Sequence, residues 1–326
     1  MLQDWADGVP TTPDLILLGQ VTVDDVVPAT AGRWQRQLGG SSLYALAGAR
    51  LWLAPERIGL VARVGADFPF ELRTLLQQAG VSHLALSRFE AEHLVEWLIY
   101  EADGSRRSLP RNASLRDIGA EGGVTGEGYL QKLLQIAPTA ADIPASWLPC
   151  RAVHLCPQVG TRHRDSLAAL KGRVGWISVD PSPHYSRSAS VLELGSLLQG
   201  ATAFLPSEQE VRSLLTQSTP EALAAALHST GFAEVVIKRG GEPAVLAGLD
   251  GLRQIPAQVT AVVDPTGAGD AFCGAFAACR LLGHSPDAAA RRAMATAARV
   301  VACRGVEQAL ALQPIAPAET ASLPAR

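Results

Sequence analysis

Asp264-Pro265-Thr266-Gly267-Ala268-Gly269-Asp270-Ala271-Phe272-Cys273-Gly274-Ala275-Phe276 is the stretch around which the rest of this chain is read. A glycine-rich turn runs directly into a helix of small residues, with an acid at the junction. Gly267 and Gly269 have backbone conformations open to them that other residues avoid. A helix N-terminus presents unpaired N–H groups and a partial positive charge. Together these make an anion cradle with the Asp270 carboxylate beside it. A phosphoryl group in transfer and an attacking hydroxyl need that combination. Taken alone, the same residues also describe a plain strand-to-helix junction with Asp270 as a first-turn acid.

Working outward, the alternation on both sides of this stretch gives the fold class. Residues 15–18 read as a buried strand, 42–53 as a helix after Gly39-Gly40, 57–64 as a strand, 69–79 as a helix and 81–87 as a strand. The rhythm resumes with strands at 152–156 and 174–179 around a helix at 162–171, then a strand at 202–205 and helices at 208–215 and 220–228. Strands at 234–237 and 244–249 precede two alanine-rich helices, about 268–282 and 286–303. Repeated β-turn-α units argue for an α/β protein with a mostly parallel sheet covered on both faces. Segments 22–38 and 94–111 break the rhythm, and Asp103-Gly104 between extended runs is a hairpin signal. They read as a small second sheet. Residues 119–143 read as a surface insertion with a helix at 129–136, and the tail after Leu312 as loose.

Composition bounds the function. The 326 residues suffice for one large α/β domain or two ordinary ones. Hydrophobic residues at 48% and charged residues at 18% fit a well-cored globular chain. A formal net charge of −3 gives no global field toward nucleic acid or an acidic membrane, so a small ligand at a local site is expected. The five cysteines form no CxxC pair and no zinc spacing, and their apolar neighbours suit buried reduced thiols. Residues 1–13 carry Asp4 and Asp7 without an apolar core, unlike a signal peptide, and no apolar run is long enough to span a bilayer. A cytoplasmic protein is expected. GxxxxGK[ST], HExxH, GxSxG and a post-strand GxGxxG are all absent, so any phosphate binding is not of the Walker type.

The opening stretch resembles the signature of the ribokinase-like (PfkB-type) carbohydrate kinases, Asp-x-Thr-Gly-Ala-Gly-Asp before a small-residue helix. The resemblance extends along most of the chain in family order. It includes Gly19 to Asp24, Gly39-Gly40, Val64-Gly65-Ala66-Asp67 and Asp103-Gly104-Ser105-Arg106. It continues through Asp180-Pro181-Ser182-Pro183, Ser207-Glu208-Gln209-Glu210 and Ile237-Lys238-Arg239-Gly240. It implies a three-layer sandwich as a single domain over 1–326, with the small sheet as a lid, and a homodimer paired through that lid. It also implies ATP- and Mg2+-dependent phosphorylation of a hydroxyl on a small sugar or polyol. A nucleoside or vitamin kinase, or a weakly catalytic ligand-binding relative, are the alternatives.

The resemblance also assigns roles. Asp270 would be the general base, and Gly267, Ala268 and Gly269, with the Asp270 N–H, the anion hole. Asp24, Gly39, Gly40, Ser41, Tyr44 and Asn112 would face the acceptor, each with a plain structural reading beside it. For Tyr44 that reading is a ring packed in the core. Ser207, Lys238, Gly240 and Thr266 would contact the nucleotide. Glu210 would order Mg2+ through water, and Asp264 with Thr266 would hold a monovalent cation such as K+, which several members do without. Ser207 stands where the family has Asn, Lys238 where it has Thr, and Pro243 where it has a second Gly. Lys238 therefore reads either as a point charge for the phosphates or as a solvated strand-end lysine.

Overall fold

The computed structural model describes residues 12–27, 35–100, 106–110, 127–216 and 218–315. Its strands are β1 (Leu15–Leu18), β2 (Thr22–Val27), β3 (Gln35–Gly39), β4 (Ile58–Gly65), β5 (His83–Phe89), β6 (Val95–Tyr100) and β7 (Arg106–Pro110). They continue with β8 (Cys150–Leu155), β9 (Val174–Val179), β10 (Ala203–Phe204), β11 (Glu234–Ile237), β12 (Ala244–Gly248) and β13 (Gly251–Ile255). Nine of them form one sheet in the order β13-β12-β11-β10-β9-β8-β1-β4-β5. Neighbours from β5 to β11 run parallel, and β12 and β13 add an antiparallel edge.

The central strands are mostly apolar because helices cover both faces. Successive side chains of β1 divide between the layers: Leu15 and Leu17 join one core, Ile16 and Leu18 the other. The first layer holds Ser41–Ala49, Ala268–Leu281, Pro286–Val300 and Gly305–Ala311. The second holds Gly160–Leu170, Val191–Leu197 and Pro220–His228. This is the three-layer α/β sandwich expected from the alternation.

Two glycines set how closely the helices that carry the site approach. A Cβ on Gly274 would lie 1.8 Å from the Ala45 carbonyl oxygen, and one on Gly48 would lie 2.0 Å from that of Ala271. Helices Ser41–Ala49 and Ala268–Leu281 therefore touch backbone to backbone, and only glycine permits it.

The second sheet has the order β3-β2-β6-β7, with β2 and β6 parallel and the outer pairs antiparallel. Its strands fall in the two segments that broke the α/β rhythm, with β3 running one residue further, to Gly39. The Asp103-Gly104 turn and residues 28–34 lie outside the described residues. His93 anchors this sheet where β2 and β6 leave the main one. The Gly65 N–H donates to its Nδ1 (3.1 Å), its Nε2 bonds the Val21 carbonyl (3.1 Å), and its own N–H donates to Asp67 (2.6 Å).

Some expectations shift. The helix expected at 208–215 is reduced to Arg212–Leu215, because Ser207 and Glu210 fold residues 207–211 into a turn. β13 has no apolar pattern, with four of its five residues exposed, yet it closes a hairpin through Gly251 at φ 84°. The overlooked signal was Asp250-Gly251. The described part of the 119–143 segment is not detached: Leu133 and Ile136 of helix Glu127–Ile136 pack with Leu94 and Val159. The C-terminal residues 316–326 lie outside the described residues. No described helix is long and apolar enough to cross a membrane.

Candidate active site

Gly267 caps helix Ala268–Leu281 in the left-handed region, at φ 73° and ψ 4°. That conformation favours glycine, and space demands it too: a Cβ there would lie 2.0 Å from Cγ of Tyr44. The turn thus opens a fourteen-residue helix with Asp270 in its first turn, and the Ala268 N–H bonds back to the Pro265 carbonyl (3.4 Å). Asp264 braces the approach. One of its oxygens accepts the Thr266 N–H (2.9 Å) and the other accepts the Gly305 N–H (3.2 Å). Its carboxylate therefore ties the turn to the last helix.

Tyr44 is buried, 3% exposed, in the core beneath this turn. Its ring packs directly against Gly267 and sets the height of that turn. Gly40 caps helix Ser41–Ala49 at φ 107°, and Gly39 ends β3 against Thr22. A Cβ on Gly39 would lie 1.8 Å from Oδ2 of Asp24. The di-glycine thus makes room for a buried carboxylate, which also accepts the Thr22 hydroxyl (2.9 Å). Ser41 opens the following helix, and Asn112 lies outside the described residues.

Two further residues reach this end without having been singled out from sequence. Glu96 of β6 pairs in register with Asp24 of β2, and the Tyr129 phenol donates to Glu96 at 2.6 Å. Burial, with Glu96 next in importance, holds the phenol well above its ordinary range. Tyr129 comes from the segment read as an insertion, so only the tertiary fold brings it here.

On the other side of the cradle a cavity of about 670 Å³ opens, a size suited to a nucleotide. Ser207, Lys238, Gly240, Ala268 and Gly269 line it. Its apolar wall is Met294, Ala297 and Val301 at the end of the second alanine-rich helix. Ser207 and Glu210 bond each other reciprocally: the Ser207 N–H donates to Glu210 Oε2 (2.6 Å), and its hydroxyl accepts the Glu210 N–H (3.3 Å). Serine in place of asparagine thus shapes the turn that presents Glu210. The Pro243 carbonyl accepts from Arg239 (3.3 Å), which fixes the reshaped loop.

Lys238 is not solvated. It is 8% exposed, and its Nζ lies 2.7 Å from Asp180 Oδ2 and 3.2 Å from the Cys273 sulfur. Burial opposes its charge, but Asp180, then Cys273 and Glu210, outweigh that and hold the ammonium pKa up. Burial, joined by Asp180 and Asp270, likewise pushes the Cys156 and Cys273 thiols up, which keeps them protonated and unreactive. All five cysteines are free thiols.

The fold and this cradle define a class, the ribokinase-like phosphotransferases. Comparison with known proteins agrees. A profile described as pfkB family carbohydrate kinase matches residues 178–311. A cytidine kinase of Thermococcus kodakarensis is 30% identical over 271 residues, which span 81% of this chain and 87% of that protein. A 2-dehydro-3-deoxygluconokinase of Escherichia coli is 39% identical over 108 residues, 32% of this chain and 34% of that protein. The structure of a fructokinase with bound ATP from Xylella fastidiosa shares the fold, with a TM-score of 0.69 at 17% identity over 95% of this chain and 98% of that one. The chain belongs to the pfkB family of carbohydrate kinases and is a phosphotransferase with an alcohol group as acceptor.

Proposed function

We propose that this protein transfers the γ-phosphoryl group of ATP to a hydroxyl on a ribose-like ring, with a nucleoside as the favoured acceptor. The observation that carries the transfer chemistry is Asp270 in the first turn of a helix capped by left-handed Gly267, at the mouth of a nucleotide-sized cavity. Asp270 takes the proton of the acceptor hydroxyl as charge builds on its oxygen. The N–H groups of Gly267, Ala268, Gly269 and Asp270 receive the charge on the transferring group. Removal of one such donor typically costs about 3–4 kcal/mol of transition-state stabilisation. Positioning and electrostatics carry most of the rate in such transfers.

The donor set fits Mg2+. Glu210 has one oxygen committed to Ser207, and the other has no hydrogen-bond partner among the described residues. Those residues hold no preassembled cluster of three or more metal-binding side chains. One carboxylate with water and phosphate oxygens is the usual environment of this ion. When bound, the ion would neutralise charge on the phosphates, with Glu210 ordering it through water. Asp264 and Thr266, tied to Gly305, would shape a monovalent cation site such as one for K+.

Asp24, Gly39, Gly40, Ser41 and Asn112 form the acceptor side on this reading, with Tyr44 as its floor rather than a contact surface. Ser207, Lys238, Gly240 and Thr266 form the nucleotide side. The nucleoside reading is supported by the cytidine kinase that aligns along most of the chain. A free sugar or sugar acid is the second reading, supported by a more identical but shorter match. ADP release with ATP and Mg2+ should be measured over cytidine, adenosine, ribose, fructose and 2-dehydro-3-deoxygluconate. Cytidine or adenosine should give the highest kcat/KM. ADP release that ignores every acceptor would overturn the assignment. A homodimer through the small sheet belongs to the same reading and is checked by sedimentation.

A further inference from the structure

A buried trio lies directly beneath the cradle. Lys238 follows β11, and its stem runs under Gly269: a Cβ placed on Gly269 would lie 3.4 Å from Nζ, 3.8 Å from Cε and 4.0 Å from Cδ. Nζ donates to Asp180 Oδ2 at 2.7 Å and to Cys273 Sγ at 3.2 Å. Sγ lies 3.3 Å from the same carboxylate oxygen. An ammonium has three N–H donors. Two have partners among the described residues, and the third has none there. The other oxygen of Asp180 is buried and also has no hydrogen-bond partner among the described residues.

Position is fixed from both sides. Asp180 is 2% exposed at the end of β9, and Cys273 is fully buried one turn into the helix whose N-terminus is the cradle. Lys238 is held by backbone as well: its N–H donates to the Pro206 carbonyl (2.8 Å), and its own carbonyl accepts the Glu208 N–H (2.8 Å). The ammonium is thus a charge at a set place, against the middle glycine of the anion hole and on the wall of the nucleotide cavity. A buried ammonium without a balancing carboxylate would be costly, and a freely swinging one would have no defined place.

We propose that Asp180 is a positioning residue: it holds Lys238 under Gly269 so that the remaining N–H of the ammonium meets the terminal phosphoryl group of the donor nucleotide. This rests on the phosphoryl-transfer reading above. Asp180 touches no substrate in this scheme and acts through the lysine. Its charge balances Lys238 in the free protein. An arriving phosphate then adds to that balance, so the pair favours a triphosphate over a diphosphate without binding either too tightly for release.

Calorimetric binding of ADP and of a non-hydrolysable ATP analogue, both with Mg2+, tests this. Asp180→Asn/Lys238→Met removes both charges together, so the buried position stays neutral and the fold is retained. Its preference for the triphosphate over the diphosphate should fall by about tenfold or more relative to wild type, with ADP affinity little changed. Asp180→Asn alone keeps the shape and an acceptor for Nζ but leaves the lysine charge unbalanced. Both nucleotides should then bind about tenfold more tightly, with steeper salt dependence and a lower kcat. A merely structural role moves none of these in that direction. A double variant with the wild-type preference, or Asp180→Asn with unchanged or weaker nucleotide binding, would overturn the proposal while leaving the kinase reading standing. Wild-type protein that binds neither nucleotide would remove the kinase reading itself.

Discussion

At the scale of single residues, the cradle makes two demands that can be separated by substitution. Asp270→Asn keeps size and hydrogen-bonding shape but removes the base. Turnover should fall at least about 100-fold while nucleotide affinity stays at the wild-type value. Calorimetry beside steady-state kinetics checks this, and near-normal turnover would reject Asp270 as the base. Gly267→Ala attacks the backbone instead. It places a methyl group into the Tyr44 ring at a φ of 73°, so the loop must shift. Nucleotide binding and turnover should both fall in that variant, with stability reduced by about 1–3 kcal/mol. Equal losses in Gly267→Ala and Asp270→Asn across binding and turnover would mean that the two residues do not have distinct roles.

At the scale of elements, two joints position the site. The first is the backbone contact between Ser41–Ala49 and Ala268–Leu281. Gly274→Ala forces a methyl group to within 1.8 Å of the Ala45 carbonyl, so the helices must separate. Denaturant unfolding should show a loss of about 1–3 kcal/mol. Gly40 caps one of the two separated helices and Asp270 lies in the first turn of the other, so KM for the acceptor should rise as well.

The second joint is His93, where the small sheet leaves the large one. Burial lowers its pKa to about 4, against the opposing effects of the Val21 carbonyl and Asp67. In the unfolded chain it titrates near 6.5. The unfolded state therefore takes up the proton first. The stabilising contribution of His93 is complete above about pH 6.5 and is lost as pH falls toward about 4. His93→Phe leaves the Gly65 N–H and the Val21 carbonyl unpaired and should cost about 1–3 kcal/mol at pH 7.5. The Tm gap to wild type should narrow between pH 6.5 and 4, and a constant gap would exclude His93 as the titrating group.

At the scale of the whole molecule, the proposed site is assembled from parts far apart in sequence: the 264–276 stretch, the Ser207–Glu210 turn, Lys238 after β11, and Asp24 on the second sheet. Ligands that bridge these parts stabilise the folded state by mass action. A non-hydrolysable ATP analogue with Mg2+ at about 100 times its dissociation constant should add about 2.7 kcal/mol and raise Tm accordingly. An acceptor from the favoured class should raise Tm further only in the presence of nucleotide if the small sheet closes on both. Additive shifts, independent of order, would show two uncoupled sites.

The sequence by itself determined the layer architecture, because β-turn-α alternation with strands apolar on both faces leaves a covered parallel sheet as the stable arrangement. It also determined the anion cradle, since the glycines, the small-residue helix and Asp270 are contiguous and their geometry is local. Tertiary structure decided what local patterns do not encode. It put Tyr44 in the core beneath Gly267, because two glycines on different helices let those helices touch. It turned Lys238 from a strand-end cation into a buried partner of Asp180, because β9 and β11 flank the short β10 and end at the same edge. It brought Tyr129 to Glu96, and the second alanine-rich helix to the cavity beside the cradle. Each of these is a contact between residues distant in the chain, where burial and charge pairing assign a role that residue type and spacing leave open.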